Sequence, residues 1–244
     1  MSVNGDVDLM SLSAFPTNGP HGPFVLAQLG QSLDGRIATV SGESRYINSA
    51  GALDHLHTMR ARVDAVIVGV STVVADDPLL TVRRVEGTNP ARIILDPHGR
   101  LPSEARCLRR DGTRVCIVTS AEFARAATFH ADIIELPADG GIFDPQQILT
   151  ALHARGFNRV LVEGGSATIS RFLDADCVDR LHVLVSPLII GSGKSGLELS
   201  PIGPLANARR PSTQITLFGD GDVLFDCDLR NLTAGHQKKR RSGR

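Results

Sequence analysis

The run Ala65-Val66-Ile67-Val68-Gly69-Val70 constrains this chain more than any other segment, because six residues in a row offer no polar side chain to water. A half-buried strand alternates apolar with polar residues. A continuous β-branched run suits a strand covered on both faces, as in parallel sheets sandwiched between helices. Similar runs recur at 24–28, 91–95, 114–119, 132–136 and 159–163, and the first extends the pattern over 64–70. Residues 50–62, 121–129, 145–155 and 168–175 carry helical spacing between them, which is the order of an α/β domain. In the first helix Leu53, Leu56 and Arg60 fall on one side, which predicts buried leucines and an arginine carried towards the end of the sheet. Segments 179–190, 213–218 and 223–229 are strand-like with no helix between them, and predict antiparallel strands at one edge. The intervening stretch 191–211, with prolines at 201, 204 and 211, reads as a long irregular excursion.

At 244 residues, 42% apolar and 21% charged, the chain suits one globular domain with a sizeable core. Its 26 basic and 26 acidic residues cancel, which argues against a protein basic throughout and built to coat nucleic acid. No apolar run approaches the roughly 18 residues that span a bilayer, and the amino terminus lacks an export pattern, so membrane partners are not expected. Residues 1–23 read as a flexible leader, 24–231 as the folded domain and 232–244 as a disordered basic tail ending KKRRSGR. Removing the five basic residues of that tail leaves 21 against 26 acidic ones, so the body is mildly negative. Cys107, Cys116, Cys177 and Cys227 are scattered without a Cys-x-x-Cys pair. A disulfide scaffold or zinc site is not expected, and a reducing cytoplasm suits these thiols.

Three segments carry chemistry. Val160-Leu161-Val162-Glu163-Gly164-Gly165-Ser166-Ala167-Thr168 is a buried strand running into two glycines and a helix. Glycines let an anion approach the backbone, and the N–H groups and dipole of the following helix favour its charge. Ser166 and Thr168 could add hydroxyl donors or cap the helix, and Glu163 sits at the carboxyl edge, where ligands of open α/β sheets bind. The second segment, 69–83, offers Ser71 or Thr72 as caps, a Pro78 stop, and adjacent carboxylates Asp76 and Asp77, of which one could hold a ribose hydroxyl or a backbone amide. Arg83 and Arg84 read alone as surface charges, and with Arg60 they are candidates for a phosphate clamp, since the guanidinium fork matches phosphate geometry. The third segment, QLGQSLDGRI followed by SGESRYI, supplies Gln31, a turn at Asp34-Gly35, Ser44 and the sole tyrosine, Tyr46. Gly191-Ser192-Gly193-Lys194-Ser195-Gly196 matches G-x-G-x-x-G, but no helix or acid-bearing strand follows, so it reads as a glycine-rich turn.

Seven of these stretches, SLDGRIA, SGESRYI, MRAR, VGVSTVVADDPLLTVR, IILDPHGRLP, VLVEGGSAT and VSPLIIG, stand in the order found in the reductase domain of riboflavin biosynthesis. From about residue 24 to 229 the chain resembles that family. The resemblance implies a dihydrofolate reductase-like fold, a mixed and mostly parallel sheet with an antiparallel edge, flanked by helices and usually dimeric. It implies NADPH as cofactor and, as substrate, a ribosylamino-pyrimidine 5′-phosphate reduced to its ribitylamino form. Ser44, Arg60, Leu79, Arg83 and Glu163 are thereby assigned to substrate. Gln31, Tyr46, Thr72, Asp76, Gly164, Gly165, Ser166, Ala167 and Thr168, within a loop reaching Arg171, are assigned to cofactor. Tyr46 stands where relatives often carry tryptophan. The H-x-E and P-C-x-x-C ligand sets of the family's zinc deaminase are missing from this sequence, which predicts a chain that reduces and does not deaminate.

The mechanism expected is hydride transfer to C1′ of the ribose, with Arg60 and Arg83 on the remote phosphate and Glu163 as the catalytic candidate, orienting the sugar or relaying a proton. Two other functions fit the same residues: a pterin or dihydrofolate-type or specialised-pathway NADPH reductase on the same fold, or a nucleotide-binding protein without turnover.

Overall fold

The computed structural model describes residues 15–20, 22–45, 47–124 and 130–230. In chain order the first strands and helices are β1 (Phe24–Ser32), β2 (Arg36–Thr39), α1 (Ala50–Arg62), β3 (Ala65–Gly69), α2 (Val70–Asp76), β4 (Ala91–Leu95), β5 (Val115–Thr119), α3 (Ala121–Ala124) and β6 (Asp132–Glu135). There follow β7 (Ala138–Asp139), β8 (Ile142–Phe143), α4 (Pro145–His153), β9 (Arg159–Val162), α5 (Ser166–Asp174), β10 (Arg180–Ser186), β11 (Gly193–Ser195), β12 (Ser212–Leu217) and β13 (Val223–Asp228).

Nine strands form one sheet in the order β12-β13-β10-β1-β9-β3-β4-β5-β6. The seven from β10 to β6 pair in parallel, and β13 runs antiparallel between β10 and β12. The mostly parallel sheet and its antiparallel edge are as the residue pattern implies. Continuous apolar strands arise because both faces are covered. Along β3, Ala65 and Ile67 join a core with Ile148, Leu152 and Phe172 of α4 and α5, while Val66 and Val68 join a second core with Met59 of α1. Pro145 opens α4 behind Asp144, whose side chain accepts the Gln146 N–H, so that helix starts where its cap and proline place it.

Several boundaries differ from the sequence reading. Phe15 is buried, and its ring stacks on Phe24 with centroids 5.4 Å apart. The packed chain therefore begins ahead of residue 24, inside the expected leader. β1 runs on to Ser32, because Gln31 and Ser32 pair with Val185 and Ser186 of β10 and their polar side chains do not interrupt the ladder. The glycine-rich stretch 191–196 is no simple turn, since Gly193 to Ser195 pair with β2, and a Cβ on Gly193 would stand 2.3 Å from the Ala38 carbonyl oxygen. The buried residues of α1 are Ala52, His55, His57, Met59 and Arg60, with Leu53 and Leu56 only half-buried. That helix buries polar groups because each finds a partner: His55 bonds His182, His57 accepts from Arg83, and Arg60 meets Glu163. The second half of the helix expected over 121–129 and the tail from residue 231 lie outside the described residues. Among the described residues no helix is long and apolar enough to cross a membrane.

Candidate active site: two clefts joined at a Glu-Gly-Gly turn

Two clefts open at the carboxyl ends of the parallel strands, touching opposite ends of α2. The first, about 350 Å³, is lined by Gly69 to Thr72 at the start of α2, by Gly165, Ala167, Thr168 and Arg171 of the β9–α5 region, and by Pro97, His98 and Arg100 after β4. The second, about 500 Å³, is lined by Ser44, Arg45, Arg60, Asp76, Leu79, Arg83 and Arg106 among others.

The first cleft is shaped by close approach. Gly164 takes φ +101°, a left-handed value that a side chain would strain, and a Cβ there would sit 2.9 Å from Thr72 Oγ1. That hydroxyl accepts the Gly165 N–H at 2.9 Å, tying the glycine turn to α2. Gly69 lets α5 press against the end of β3, since a Cβ on it would meet Thr168 Oγ1 at 2.7 Å. Both helices are capped by glycines with no side-chain acceptor: Gly69 for α2 and Gly165 for α5. Ser71 and Thr72 therefore do not cap α2 as expected; they lie inside its first turn and face the cleft. The N-terminal amides of α5 and the buried, unpartnered Ser166 Oγ form an anion-favouring end in a loop that a side chain would block. Buried Asp96 accepts the N–H groups of Arg100 at 3.0 Å and Leu101 at 2.8 Å, which fixes the loop carrying Arg100, whose guanidinium donates to Ser71 Oγ at 3.3 Å.

The second cleft is built around a buried ion pair. Arg60 Nε donates to Glu163 Oε1 at 2.8 Å and Nη2 to Oε2 at 2.7 Å, while Nη1 reaches the Thr81 carbonyl at 3.1 Å. Burial opposes the Arg60 charge, yet the facing carboxylate outweighs it and raises the guanidinium pKa. Arg83 is held through its backbone N–H, which donates to His57 Nδ1 at 3.1 Å. His57 serves as acceptor because burial, then Arg60, Arg83 and Arg84, push its pKa down to about 4. Asp77 and buried Leu80 both adopt left-handed backbone, at φ 40° and 55°. Each such residue costs about 1–2 kcal/mol, so the turn that presents Leu79 is maintained by its anchors. Leu80 packs in the second core, and Asp77 Oδ1 accepts the Arg106 N–H at 2.8 Å.

Glu163-Gly164-Gly165 joins the two sites. Glu163 grips the Arg60 wall of the second cleft, and Gly165 lines the first. Residues 23–216, which contain both clefts, match the family described as the RibD C-terminal domain. The chain belongs to the RibD C-terminal domain family. It is 36% identical over 173 residues to a 2,5-diamino-6-ribosylamino-4(3H)-pyrimidinone 5′-phosphate reductase of Methanothermobacter thermautotrophicus, covering 69% of this chain and 80% of that one. A solved diaminohydroxyphosphoribosylaminopyrimidine deaminase/5-amino-6-(5-phosphoribosylamino)uracil reductase from Thermotoga maritima superposes with a TM-score of 0.67 at 31% identity, over 84% of this chain and 56% of that one. The chain thus spans little more than half of that two-activity relative. A dihydrofolate reductase from Enterococcus faecalis, 12% identical, superposes over 84% of this chain and 96% of its own with a TM-score of 0.51, which marks the fold as dihydrofolate reductase-like.

Against this RibD-type scaffold, the residues assigned to substrate stay together: Ser44, Arg60, Leu79 and Arg83 line the second cleft, with Glu163 behind Arg60. The cofactor set divides. Thr72, Gly165, Ala167 and Thr168 line the first cleft and Asp76 the second, while Gly164 and Ser166 complete the turn between them. Gln31 lies on β1 against Gly196 and lines neither cleft. Tyr46 lies outside the described residues. Arg60 and Arg83, expected as a phosphate clamp, line the same cleft, and the Arg60 fork also carries the buried Glu163 carboxylate. The sequence reading missed His57, Arg100 and Arg106, while Arg171, the end of the loop assigned to cofactor, lines the first cleft. Only Arg100 had a local signal, the Asp-Pro-His-Gly turn before it. Arg106 meets Asp77 across 29 residues of chain.

Proposed function

We propose that this RibD-type chain is an NADPH-dependent reductase that converts a ribosylamino-pyrimidine 5′-phosphate to its ribitylamino product in riboflavin biosynthesis. The observation that carries the reading is the Glu163-Gly164-Gly165 turn, which brings an anion-favouring glycine cleft and a cation-lined cleft to one strand end. The first cleft fits a dinucleotide: the turn is closed to side chains, and amides, Thr72, Ser166 and Arg100 supply donors for phosphates. When bound, NADPH would supply a hydride to C1′ of the ring-opened imine, in which the C1′–O4′ bond has broken and O4′ holds the proton lost from nitrogen; a solvent proton then returns to that nitrogen. The chain's own residues orient. Arg60 neutralises Glu163 and turns its carboxylate into a fixed acceptor for a sugar hydroxyl, Ser44 adds a hydroxyl at the cleft wall, and Leu79 excludes water from the sugar face.

Glu163 is assigned orientation and not proton donation, since both of its oxygens accept from Arg60. The Methanothermobacter relative is named for a diamino pyrimidine and the Thermotoga one for a uracil, so both bases belong in the assay. The enzyme is placed in the cytoplasm as a homodimer. Its four free, buried cysteines suit a reducing compartment, and edge strand β12 exposes Ile215 and Leu217, an apolar rim suited to a second copy. The test is NADPH oxidation with each pyrimidine phosphate and with dihydrofolate. Turnover confined to the pyrimidine phosphates supports the assignment; turnover confined to dihydrofolate rejects it.

A further inference from the structure

We infer that Asp222, in the turn between β12 and β13, is a positioning residue of the reductase: acting through Asn48 and the Ser49 amide, it fixes the wall of the second cleft that precedes α1. The inference rests on the proposed reduction and adds to it a residue far along the chain that touches no reacting atom. α1 begins without a cap of its own. Ser49 stands at its N-cap, yet the Ser49 side chain bonds no backbone N–H of the helix, and the first turn carries no acidic residue. The acceptors come from the last hairpin of the sheet, 173 residues further on. Asp222 Oδ2 accepts the Ser49 N–H at 2.9 Å and Asn48 Nδ2 at 3.2 Å, and Asp220 Oδ2 accepts the Gly51 N–H at 2.9 Å.

The two carboxylates are not equivalent. Asp220 is exposed and serves the helix end, where the Gly51 N–H holds its carboxyl below the usual range. Asp222 is 1% exposed, and its Oδ1 has no hydrogen-bond partner among the described residues. Capping from the surface avoids that desolvation cost, so capping alone does not account for a buried carboxylate. What Asp222 adds is Asn48, which lines the second cleft with Ser44 and Ile47. The Asn48 amide is held in one orientation: Nδ2 lies between Asp222 and the Leu184 carbonyl, at 3.5 Å from the latter. β1 offers Gly30 at this point, and any Cβ there would collide with Asn48 Oδ1. Asp222 is seated in turn, since its carbonyl accepts the Phe218 N–H at 2.8 Å and Phe218 packs with Ala52 of α1.

The test compares steady-state kinetics and calorimetric binding of the pyrimidine phosphates for wild type, Asp222→Ala, Asp222→Asn, Asn48→Ala, the Asp222→Ala/Asn48→Ala double variant and Asp220→Ala. Asp222→Ala and Asn48→Ala should each raise KM and Kd about tenfold, with kcat per NADPH-binding site within about twofold. Asparagine at 222 keeps an oxygen where Oδ2 accepts both donors, and should return KM to within about threefold of wild type. The double variant should be no worse than the larger single effect, because Asp222 acts through Asn48. Asp220→Ala removes only the surface cap and should lower Tm without moving KM. A KM unmoved in Asp222→Ala, additive losses in the double variant, or an equal rise in KM in Asp220→Ala would each overturn the inference. A wild type that binds a pyrimidine phosphate without reducing it sinks the proposed function alone, since the ratio of Kd between variants still reads Asp222. A wild type that reduces it, with KM and Kd unmoved in Asp222→Ala, sinks the positioning role alone.

Discussion

Replacing Glu163 with glutamine should destabilise the fold by about 3 kcal/mol, near the low end of the 3–5 kcal/mol seen when one member of a buried ion pair is removed. The side chains of Arg60 and Glu163 are 6% and 8% exposed, so water cannot compensate for the lost charge. Glutamine retains one carbonyl oxygen for Arg60 Nε, but its amide nitrogen then faces Nη2 across the 2.7 Å now spanned by a charge-assisted bond, donor against donor. For a chain of this size the loss lowers Tm by about 6–12 °C. Urea and thermal unfolding of Glu163→Gln measure it. The paired change Arg60→Met with Glu163→Leu removes both charges and should return to within about 1–2 kcal/mol of wild type, since apolar replacement of a whole buried pair is often neutral. Activity should stay lost in both variants. A Glu163→Gln protein within about 1 kcal/mol of wild type, or a double variant no more stable than the single one, refutes the view that this pair is desolvated and mutually dependent.

Thr72→Val keeps the shape of the side chain but removes the acceptor for the Gly165 N–H, and should raise the NADPH Kd about five- to tenfold, read by fluorescence titration, with little change in the substrate KM. Gly164→Ala forces a Cβ into left-handed backbone against Thr72 and should cost about 1–2 kcal/mol of stability along with cofactor binding; an unaltered Tm would show that the turn relaxes freely. Arg100→Ala should narrow the proposed preference for NADPH over NADH about tenfold in parallel binding titrations, because Arg100 is an exposed guanidinium in the first cleft. Burial, and then the neighbouring His182, push the His55 pKa from 6.5 to about 3, whereas the unfolded chain protonates near 6.5. A depressed base makes acid favour the unfolded state, so the His55 contribution is full above about pH 7 and falls by about 2 kcal/mol between about pH 7 and 5, His57 adding to the same slope; His55→Gln should remove the His55 share of it in denaturation curves.

The parallel core was legible because burial on both faces leaves a signature needing no partner information: 65–70 and 159–163 could be little else. The glycine turn was legible for a similar reason, since strand, two glycines and helix are contiguous. The α1 face was misread because amphipathicity assumes that buried means apolar. Here His55, His57 and Arg60 are buried on partners as far away as His182 and Glu163, and no window along the chain contains those pairs. The same distance concealed Arg106, whose backbone N–H meets Asp77 across 29 residues of chain. Phe15 was hidden in a stretch of Ser, Asn, Gly and Pro whose composition suggests a loose chain, although one aromatic ring suffices to pin it on Phe24.

The proposed reaction delivers a hydride to the sugar carbon of a phosphorylated ribosylamino-pyrimidine, at the strand end where the two clefts meet. The most direct measurement uses NADPH carrying deuterium at the transferable C4 position, with product analysis by mass spectrometry and NMR. The expected product is a ribitylamino phosphate with one deuterium, located at C1′. Deuterium on the pyrimidine ring, or none in any product while the protein binds both molecules, would contradict it.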